Sequence, residues 1–308
     1  KEKVSRPTTF ITNTQPAEGV DVVLVDEAHL LWTQGKQSYR GKNQLDDILA
    51  RAKVVVAVFD KKQILSREGY LTNNEIHKLE IQSGNQGNLI KFKQQLRINA
   101  NEDTQTWLNS LIDRRVVDKI PVDNEYEVKI FDDPLAMYHA IQKKAESQEH
   151  GLSRMLATFD WPFNKSSKKK DGKPYCVTVG DLSLPWNLQL DPPKSQRGQK
   201  KRLAWAEQDQ TIGEVGSTFT IQGFDLNYSG VIIGPSVKFR EGHIVFDPGA
   251  SENSKATKRR TLASGEKVFV ADELLPNELN VLLTRGVHGL YIYAVDDALR
   301  AALLGAQS

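Results

Sequence analysis

The feature that most constrains the fold of this chain is residues 22–29, where four apolar residues run straight into two carboxylates and, after one alanine, a histidine (VVLVDEAH). An apolar run without alternation is typical of a strand buried on both faces of a parallel sheet. Carboxylates at the carboxyl end of such a strand, here Asp26 and Glu27, point into the crevice where α/β proteins bind ligands. In nucleotide hydrolases this position carries an aspartate for Mg²⁺ and an acid that orients or deprotonates water. The alternative interpretation is a strand followed by a solvated acidic turn.

Length and composition limit the classes of protein to consider. A chain of 308 residues is long enough for two domains, each with its own core. The net charge is only +2, so any nucleic-acid binding has to come from local basic patches. The single cysteine, Cys176, excludes an intramolecular disulfide and fits a reducing compartment. No apolar run approaches the roughly 18 residues of a membrane span, and no signal peptide is recognised, so we expect a cytoplasmic protein.

Alternating strand and helix patterns indicate an α/β fold with a parallel, doubly wound sheet. Hydrophobic periodicity predicts strands at 8–12, 20–25, 54–59, 89–96, 126–131, 154–159, 231–234, 280–283 and 290–294. The predicted helices are 44–51, 103–116, 135–147 and 296–304. A second α/β unit follows the first, and we place the domain boundary near residue 90, which gives domains of 1–90 and 91–308.

Two stretches of the second domain, 164–202 and 235–278, resemble inserted loops with basic clusters. Their candidate nucleic-acid contacts are Lys168, Lys169, Lys170, Lys200, Lys201, Arg202, Arg259 and Arg260. Basic runs of this kind are also common in loops that only contact solvent. Nearby aromatic residues such as Trp161 and Trp186 could stack on bases, although aromatics at this density pack equally often in a core.

Polar residues follow the strand predicted at 54–59 and the domain boundary. Asp60 stands at a strand end, and Gln63 has an amide that can bond a phosphate oxygen or a water, yet aspartate-led turns commonly follow strands. Arg97 has a planar guanidinium that suits a phosphate bound by the other domain, whereas most arginines are surface residues or structural ion pairs.

Two later segments combine a glycine or an arginine with polar groups. In residues 217–225 (STFTIQGFD), Gly223 permits a tight turn between polar neighbours. Residues 280–286 (NVLLTRG) are interpreted as a buried strand whose end presents Arg285, a second candidate for stabilising charge on a transferring phosphoryl group.

The order of these motifs resembles that of superfamily 1 helicases. Residues 26–29, 60–63, 95–97, 220–225 and 283–285 follow the order of Walker B and motifs III, IV, V and VI. More narrowly, the segments FTIQGFDLNY and LTRGVHGLYIY resemble the Schlafen-like helicase-domain family. The resemblance implies two RecA-like parallel-sheet lobes of the P-loop NTPase type, with the first lobe truncated at its N-terminus.

The resemblance also implies roles for residues of the first lobe. Asp26 would hold Mg²⁺, and Glu27 would act as the general base on the attacking water. Gln63, next to the strand-end Asp60, would sense the γ-phosphate of ATP. His29 would couple the Walker B strand to the neighbouring domain.

In the second lobe, the resemblance makes Arg97 and Arg285 arginine fingers. The remaining residues assigned to nucleotide binding or to coupling with nucleic acid are Gln222, Gly223, Asp225 and Thr284. Asp225 would lie near the ribose, although the family usually has the longer glutamate at this position. Motif III also departs from the family pattern, since Phe59 replaces the usual glycine before Asp60.

A phosphate-binding loop of the form Gly-x-x-x-x-Gly-Lys-[Ser/Thr] does not occur in the sequence. Such a loop supplies backbone N–H groups and a lysine to the β- and γ-phosphates, so its loss should remove most nucleotide affinity. Because the chain starts without methionine, the simplest expectation is a fragment whose first strand, P-loop and helix lie upstream. The alternative is a natural chain that has lost ATP binding.

Two hypotheses for function follow. The favoured one is the C-terminal portion of a superfamily 1-like ATPase that acts on single-stranded DNA or RNA, with ATP and Mg²⁺ between the lobes; this chain alone is expected to be inactive. The alternative is a module that hydrolyses nothing and binds nucleic acid or a protein through its basic loops. A metallohydrolase site built on Asp26, Glu27 and His29 is disfavoured, because the sequence contains no second ligand cluster.

Overall fold

The computed structural model describes residues 4–36, 38–92, 97–147, 150–164, 171–194, 203–262 and 264–307. In chain order its α-helices are α1 (Pro7–Asn13), α2 (Gln44–Leu49), α3 (Asn73–Asn85), α4 (Glu102–Asn109), α5 (Pro134–Ala145), α6 (Thr218–Ile221), α7 (Ser254–Thr257), α8 (Ala271–Leu283) and α9 (Asp297–Gln307). The strands are β1 (Val20–Val25), β2 (Ala52–Ala57), β3 (Glu127–Ile130), β4 (Arg154–Ala157), β5 (Cys176–Val179), β6 (Leu182–Pro185), β7 (Val215–Gly216), β8 (Leu226–Ile233), β9 (Val237–Arg240), β10 (His243–Phe246), β11 (Arg260–Thr261), β12 (Lys267–Val268) and β13 (Gly286–Ala294).

The chain divides into two compact units. Unit 1 comprises residues 1–93 and 258–274, and unit 2 comprises residues 94–257 and 275–308. Unit 2 contains a five-stranded sheet in the order β3-β13-β8-β4-β7, and every neighbouring pair in it is parallel. In unit 1, β1 and β2 also pair in parallel. The α/β fold class predicted from the sequence is therefore confirmed, whereas the interpretation of the units as two lobes stays a prediction.

The sheet of unit 2 is covered on both faces. Because side chains alternate along a strand, Val231 of β8 belongs to one hydrophobic cluster and Ile232 to the other. The first cluster includes Leu282 of α8 and Leu299 of α9, and the second includes Ile141 of α5. Burial on both faces explains why segments 231–233 of β8 and 290–294 of β13 are continuous apolar runs.

Among the described residues, the sheet of unit 1 is covered on one face only, so the prediction that β1 is buried on both faces is wrong for this structure. Apolar side chains from α1 and α2 pack on one face, where Val25 and Ile48 are buried. On the opposite face the strands expose large apolar side chains that are 49% to 76% accessible: Val22, Leu24, Val54 and Val56.

Three other predicted strands also differ from the structure. Residues 8–12 lie in α1, which begins with Pro7 at a position where the missing N–H costs no hydrogen bond. Residues 280–283 form the end of α8, where Leu275, Leu279 and Leu282 follow helical spacing and are buried. Residues 89–92 form no regular element, and the rest of the predicted 89–96 strand lies outside the described residues.

None of the helices in the described ranges is long and apolar enough to cross a bilayer. The longest of them, α3 and α8, have 13 residues each, and a span needs about 20.

Candidate functional site

The register of β1 on β2 brings two of the predicted motifs to one edge of the unit 1 sheet. Val25 pairs with Ala57, so the strands end side by side. Just beyond them, the Val58 N–H donates to the Val25 carbonyl at 3.0 Å. Residues 26–29 and 60–63 therefore leave the sheet next to each other, at the carboxyl edge where α/β proteins bind ligands.

Glu27 lies next to the buried imidazole of His29. Its backbone lies in the left-handed region (φ 51°), a conformation that is uncommon for a residue other than glycine and that occurs often in functional sites. The Oε2 atom of Glu27 is 2.9 Å from Nε2 of His29. The backbone N–H of Asp60 donates to Nδ1 of His29 at 3.4 Å, so the imidazole contacts both the end of β1 and the turn after β2.

The neighbouring carboxylates differ in how much of their surface is free for a ligand. Asp60 accepts the Lys62 N–H and the Gln63 amide, both at 2.9 Å, which fixes the turn after β2. Asp26 is exposed and accepts the Glu27 N–H at 2.9 Å through Oδ1. An exposed carboxylate is a suitable hard ligand for Mg²⁺, which proteins often bind with one or two carboxylates together with phosphates and water. The described residues contain no group of three metal-ligating side chains.

In unit 2, three predicted site residues that are far apart in the sequence meet at one carboxylate. The Nε atom of Arg97 lies 2.6 Å from Oδ1 of Asp225, and Nη1 of Arg285 lies 3.7 Å from the same oxygen. Arg285 is fully buried and donates from Nε to the Val281 carbonyl at 3.1 Å. Because 280–283 is helical, Arg285 precedes β13 and does not follow a strand as predicted.

The other predicted residues of this region shape the backbone. Gly223 has φ 79° and turns the chain from α6 toward β8, a conformation that a side chain would strain. Thr284 is buried, and its hydroxyl donates to the Asn280 carbonyl at 2.8 Å at the end of α8. Gln222 is half-buried just beyond α6.

The basic residues predicted to contact nucleic acid fall into three groups. Lys168, Lys169, Lys170, Lys200, Lys201 and Arg202 lie outside the described residues. Arg259 is exposed in unit 1. Arg260 is buried, and its guanidinium donates to the Arg67 carbonyl and to the Thr33 hydroxyl, both at 2.8 Å. The guanidinium of Arg260 therefore links two other segments of unit 1 and does not face solvent. This corrects the assignment of Arg260 as a nucleic-acid contact.

Phe219 is an exposed aromatic residue that sequence reasoning did not select. It stands on α6 with 41% of its surface accessible, and the Lys255 ammonium lies 4.1 Å from its ring centre. The Phe159 ring packs against it at 78° with centroids 5.1 Å apart. By contrast, Trp186, which was considered for base stacking, is fully buried in the core.

Sequence reasoning also missed two buried carboxylates in unit 2. Glu278 accepts the Phe159 N–H and, at 2.6 Å, the Asn253 amide. Asp160 accepts the Thr158 hydroxyl at 2.9 Å. Burial, reinforced by the nearby Asp160 charge, raises the pKa of Glu278 to about 7, and burial also raises the pKa of Asp160. The sequence signal that could have indicated Glu278 is the position of this glutamate on the apolar face of α8.

The five-stranded parallel sheet of unit 2 defines an α/β protein whose fold is consistent with the P-loop NTPase type. A family model described as Schlafen group 3, DNA/RNA helicase domain, matches residues 1–296. An uncharacterized protein of Saccharomyces cerevisiae is 34% identical over 343 residues, which cover 99% of this chain and 69% of the yeast protein. The chain belongs to the Schlafen group 3 DNA/RNA helicase-domain family, which confirms the resemblance found in the sequence.

Proposed function

We propose that the chain carries the catalytic acids and the arginines of a nucleic-acid-dependent ATPase that acts on single-stranded DNA or RNA. The observation that supports this most is the edge of the unit 1 sheet, where the register of β1 on β2 sets Glu27 and Asp26 beside Asp60 and Gln63. Membership in a helicase-domain family supports the same function.

In the proposed reaction, each residue at this edge has a separate role. Glu27, oriented by His29, accepts a proton from the water that attacks the γ-phosphate of ATP. Asp26 would hold Mg²⁺, which neutralises phosphate charge when it is bound. The Gln63 amide, which donates to Asp60 at 2.9 Å, would bond a phosphate oxygen or the attacking water.

A phosphate-binding loop is needed for this reaction, and the printed sequence contains none. We therefore propose this reaction for a full-length protein in which such a loop accompanies residues 1–308, and the parental open reading frame is the first observation to make. We expect the full-length protein to hydrolyse ATP faster when single-stranded DNA or RNA is added. If the protein does not hydrolyse ATP, or if added nucleic acid does not change the rate of hydrolysis, the result would favour the alternative of a module that binds nucleic acid or a protein without hydrolysing ATP.

For the nucleic acid, we propose a base contact at Phe219. An exposed ring fixed on a helix offers a stacking surface, and the nearby Lys255 offers a cation for the adjacent phosphate. Phe219→Ala should weaken binding of a labelled oligothymidylate or oligouridylate by about 5- to 150-fold, the range expected for one stacked base at 1–3 kcal/mol. Fluorescence anisotropy at fixed salt measures this change.

The matched control is Phe269→Ala, because Phe269 is a comparably exposed phenylalanine (48%) in unit 1. Lys255→Ala should lower the slope of log K against log salt by about one. Equal losses of affinity in Phe219→Ala and Phe269→Ala would argue against a specific stacking site.

A further inference from the structure

The Phe219 ring is contacted by two segments that come from distant parts of the sequence. The Phe159 ring packs against it, with centroids 5.1 Å apart and an angle of 78° between the planes. The Lys255 ammonium lies 4.1 Å from its centre. Phe159 follows β4 and Lys255 lies on α7, so the mutual position of the ring and the cation depends on how these two segments are held.

One buried carboxyl group bonds both segments. Glu278, on α8, is only 2% exposed. It accepts the backbone N–H of Phe159, and it accepts the side-chain amide of Asn253 at 2.6 Å. Glu278 therefore joins the residue that packs on the Phe219 ring to the residue that precedes α7, the helix that carries Lys255.

Asn253 transmits this attachment to Lys255. Its side-chain oxygen accepts the Lys255 N–H at 3.3 Å, and its carbonyl accepts the Ala256 N–H at 2.9 Å. The same segment is tied directly to the end of β4, because the Glu252 N–H donates to the Phe159 carbonyl at 2.9 Å. Asn253 is itself 2% exposed, so packing also restricts its position.

The chemistry of Glu278 is explained by these two hydrogen bonds. A carboxyl group inside a core costs free energy unless hydrogen bonds compensate it. The other residues on this face of α8 are buried leucines, among them Leu275, Leu279 and Leu282. A leucine in place of Glu278 would avoid the cost of burial, but it would leave the Phe159 N–H and the Asn253 amide without this acceptor.

We propose that Glu278 is a positioning residue for the nucleic-acid contact, and that its carboxyl group holds the Phe159 ring and the Lys255 ammonium in place against Phe219. Glu278 does not touch the nucleic acid and acts through the residues that it bonds. The inference rests on the base contact proposed at Phe219. A base would then stack on a ring whose support and whose neighbouring cation are already in place, which lowers the ordering cost of binding.

Glu278→Ala tests this inference because it removes both hydrogen bonds and leaves Phe219 and Lys255 unchanged. Binding of a labelled oligothymidylate, measured by fluorescence anisotropy at fixed salt, should weaken by about fivefold or more. In the background of Phe219→Ala with Lys255→Ala, the same substitution should change affinity by less than about twofold, since no contact is left to position. A general loss of stability would instead weaken binding equally in both backgrounds.

Two further variants separate the bonds of Glu278. Glu278→Gln should restore most of the affinity that Glu278→Ala loses, because its amide oxygen can accept the Phe159 N–H and its amide nitrogen can donate to Asn253 after the Asn253 amide turns over. Asn253→Ala breaks only the attachment of α7, so it should weaken binding in the wild-type chain and have no further effect beside Lys255→Ala. Asn253→Ala decides the test if Glu278→Ala does not fold, and thermal melting shows which variants are folded.

The matched control is Glu68→Ala. Glu68 is another buried glutamate, but it lies in unit 1, where it is paired with Lys36 at 3.4 Å and with Arg67 at 3.3 Å. Its replacement should lower the melting temperature and leave oligothymidylate affinity unchanged. Wild-type affinity in the folded Glu278→Ala and Asn253→Ala variants would overturn the inference, and so would an equal loss of affinity in Glu68→Ala.

The outcome is separable from the proposed function. If Phe219→Ala leaves oligothymidylate affinity unchanged, the base contact and its positioning by Glu278 are both wrong. If Phe219→Ala weakens binding and Glu278→Ala does not, only the role of Glu278 is wrong. Hydrolysis of ATP by the full-length protein is measured separately and depends on neither result.

Discussion

Glu27→Gln in the full-length protein should abolish ATP turnover stimulated by nucleic acid while leaving ATP binding intact. The glutamine keeps the size and polarity of the side chain but cannot accept the proton of the attacking water. General-base catalysis contributes about 10²- to 10⁴-fold, so kcat should fall by a factor in that range. Steady-state phosphate release measures kcat, and equilibrium binding of a fluorescent ATP analogue measures affinity.

The control for this variant is Asp21→Asn. Asp21 is an acid of the same strand, but it is exposed and paired with Lys53 at 2.7 Å, away from the carboxyl edge of the sheet. It should retain wild-type turnover. Undiminished hydrolysis by Glu27→Gln would remove Glu27 from the catalytic role and leave the strand end as an acidic turn.

The stability of unit 2 should decrease as pH rises from about 5 to 8 because of Glu278. Burial raises its pKa from 4.5 to about 7, so in this interval the folded chain retains a proton that the unfolded chain has lost. A raised carboxyl pKa therefore stabilises the fold at low pH, and the contribution is lost as pH rises through the folded pKa. The resulting loss in the free energy of unfolding is on the order of 3 kcal/mol.

Glu278→Gln should remove most of this pH dependence, because the amide retains an oxygen for the Phe159 N–H and carries no charge at any of these pH values. Urea denaturation at pH 5 and pH 8 gives the free energies to compare. Glu125→Gln, at an exposed glutamate of unit 2, is the control and should follow the wild type. A Glu278→Gln variant that loses as much stability between pH 5 and 8 as the wild type would show that another group is responsible.

The helices and strands that depend on local sequence patterns could be predicted from the sequence. The strand β1 and the end of β8, residues 231–233, are rich in β-branched residues, and α5 begins with Asp133 as its cap and Pro134 in its first turn. The run at 280–283 was assigned to a strand because a short apolar segment fits either period. The helical spacing of the apolar residues becomes visible only when the segment is considered from residue 271 onward. The packing of α8 on the sheet then decides between helix and strand.

The acidic edge of unit 1 and the arginines of unit 2 were predictable as separate motifs. The sequence could not reveal that the His29 imidazole lies 2.9 Å from the Glu27 carboxylate, or that Arg97 and Arg285 approach the same oxygen of Asp225. Nor could it separate the exposed Arg259 from the buried Arg260, since adjacent charged residues look alike until the packing of their segment is known.

By itself, the sequence determined the α/β class, the two strands that end in carboxylates, and the family, because these depend on local hydrophobic patterns and on the order of short motifs. The tertiary structure decided which polar groups are partners and which are buried. Those properties depend on distances between segments that are remote in the chain, such as those carrying Asp160 and Glu278. The local sequence pattern determines which helix or strand forms. The packing of that element determines the environment, the pKa and the partners of its side chains.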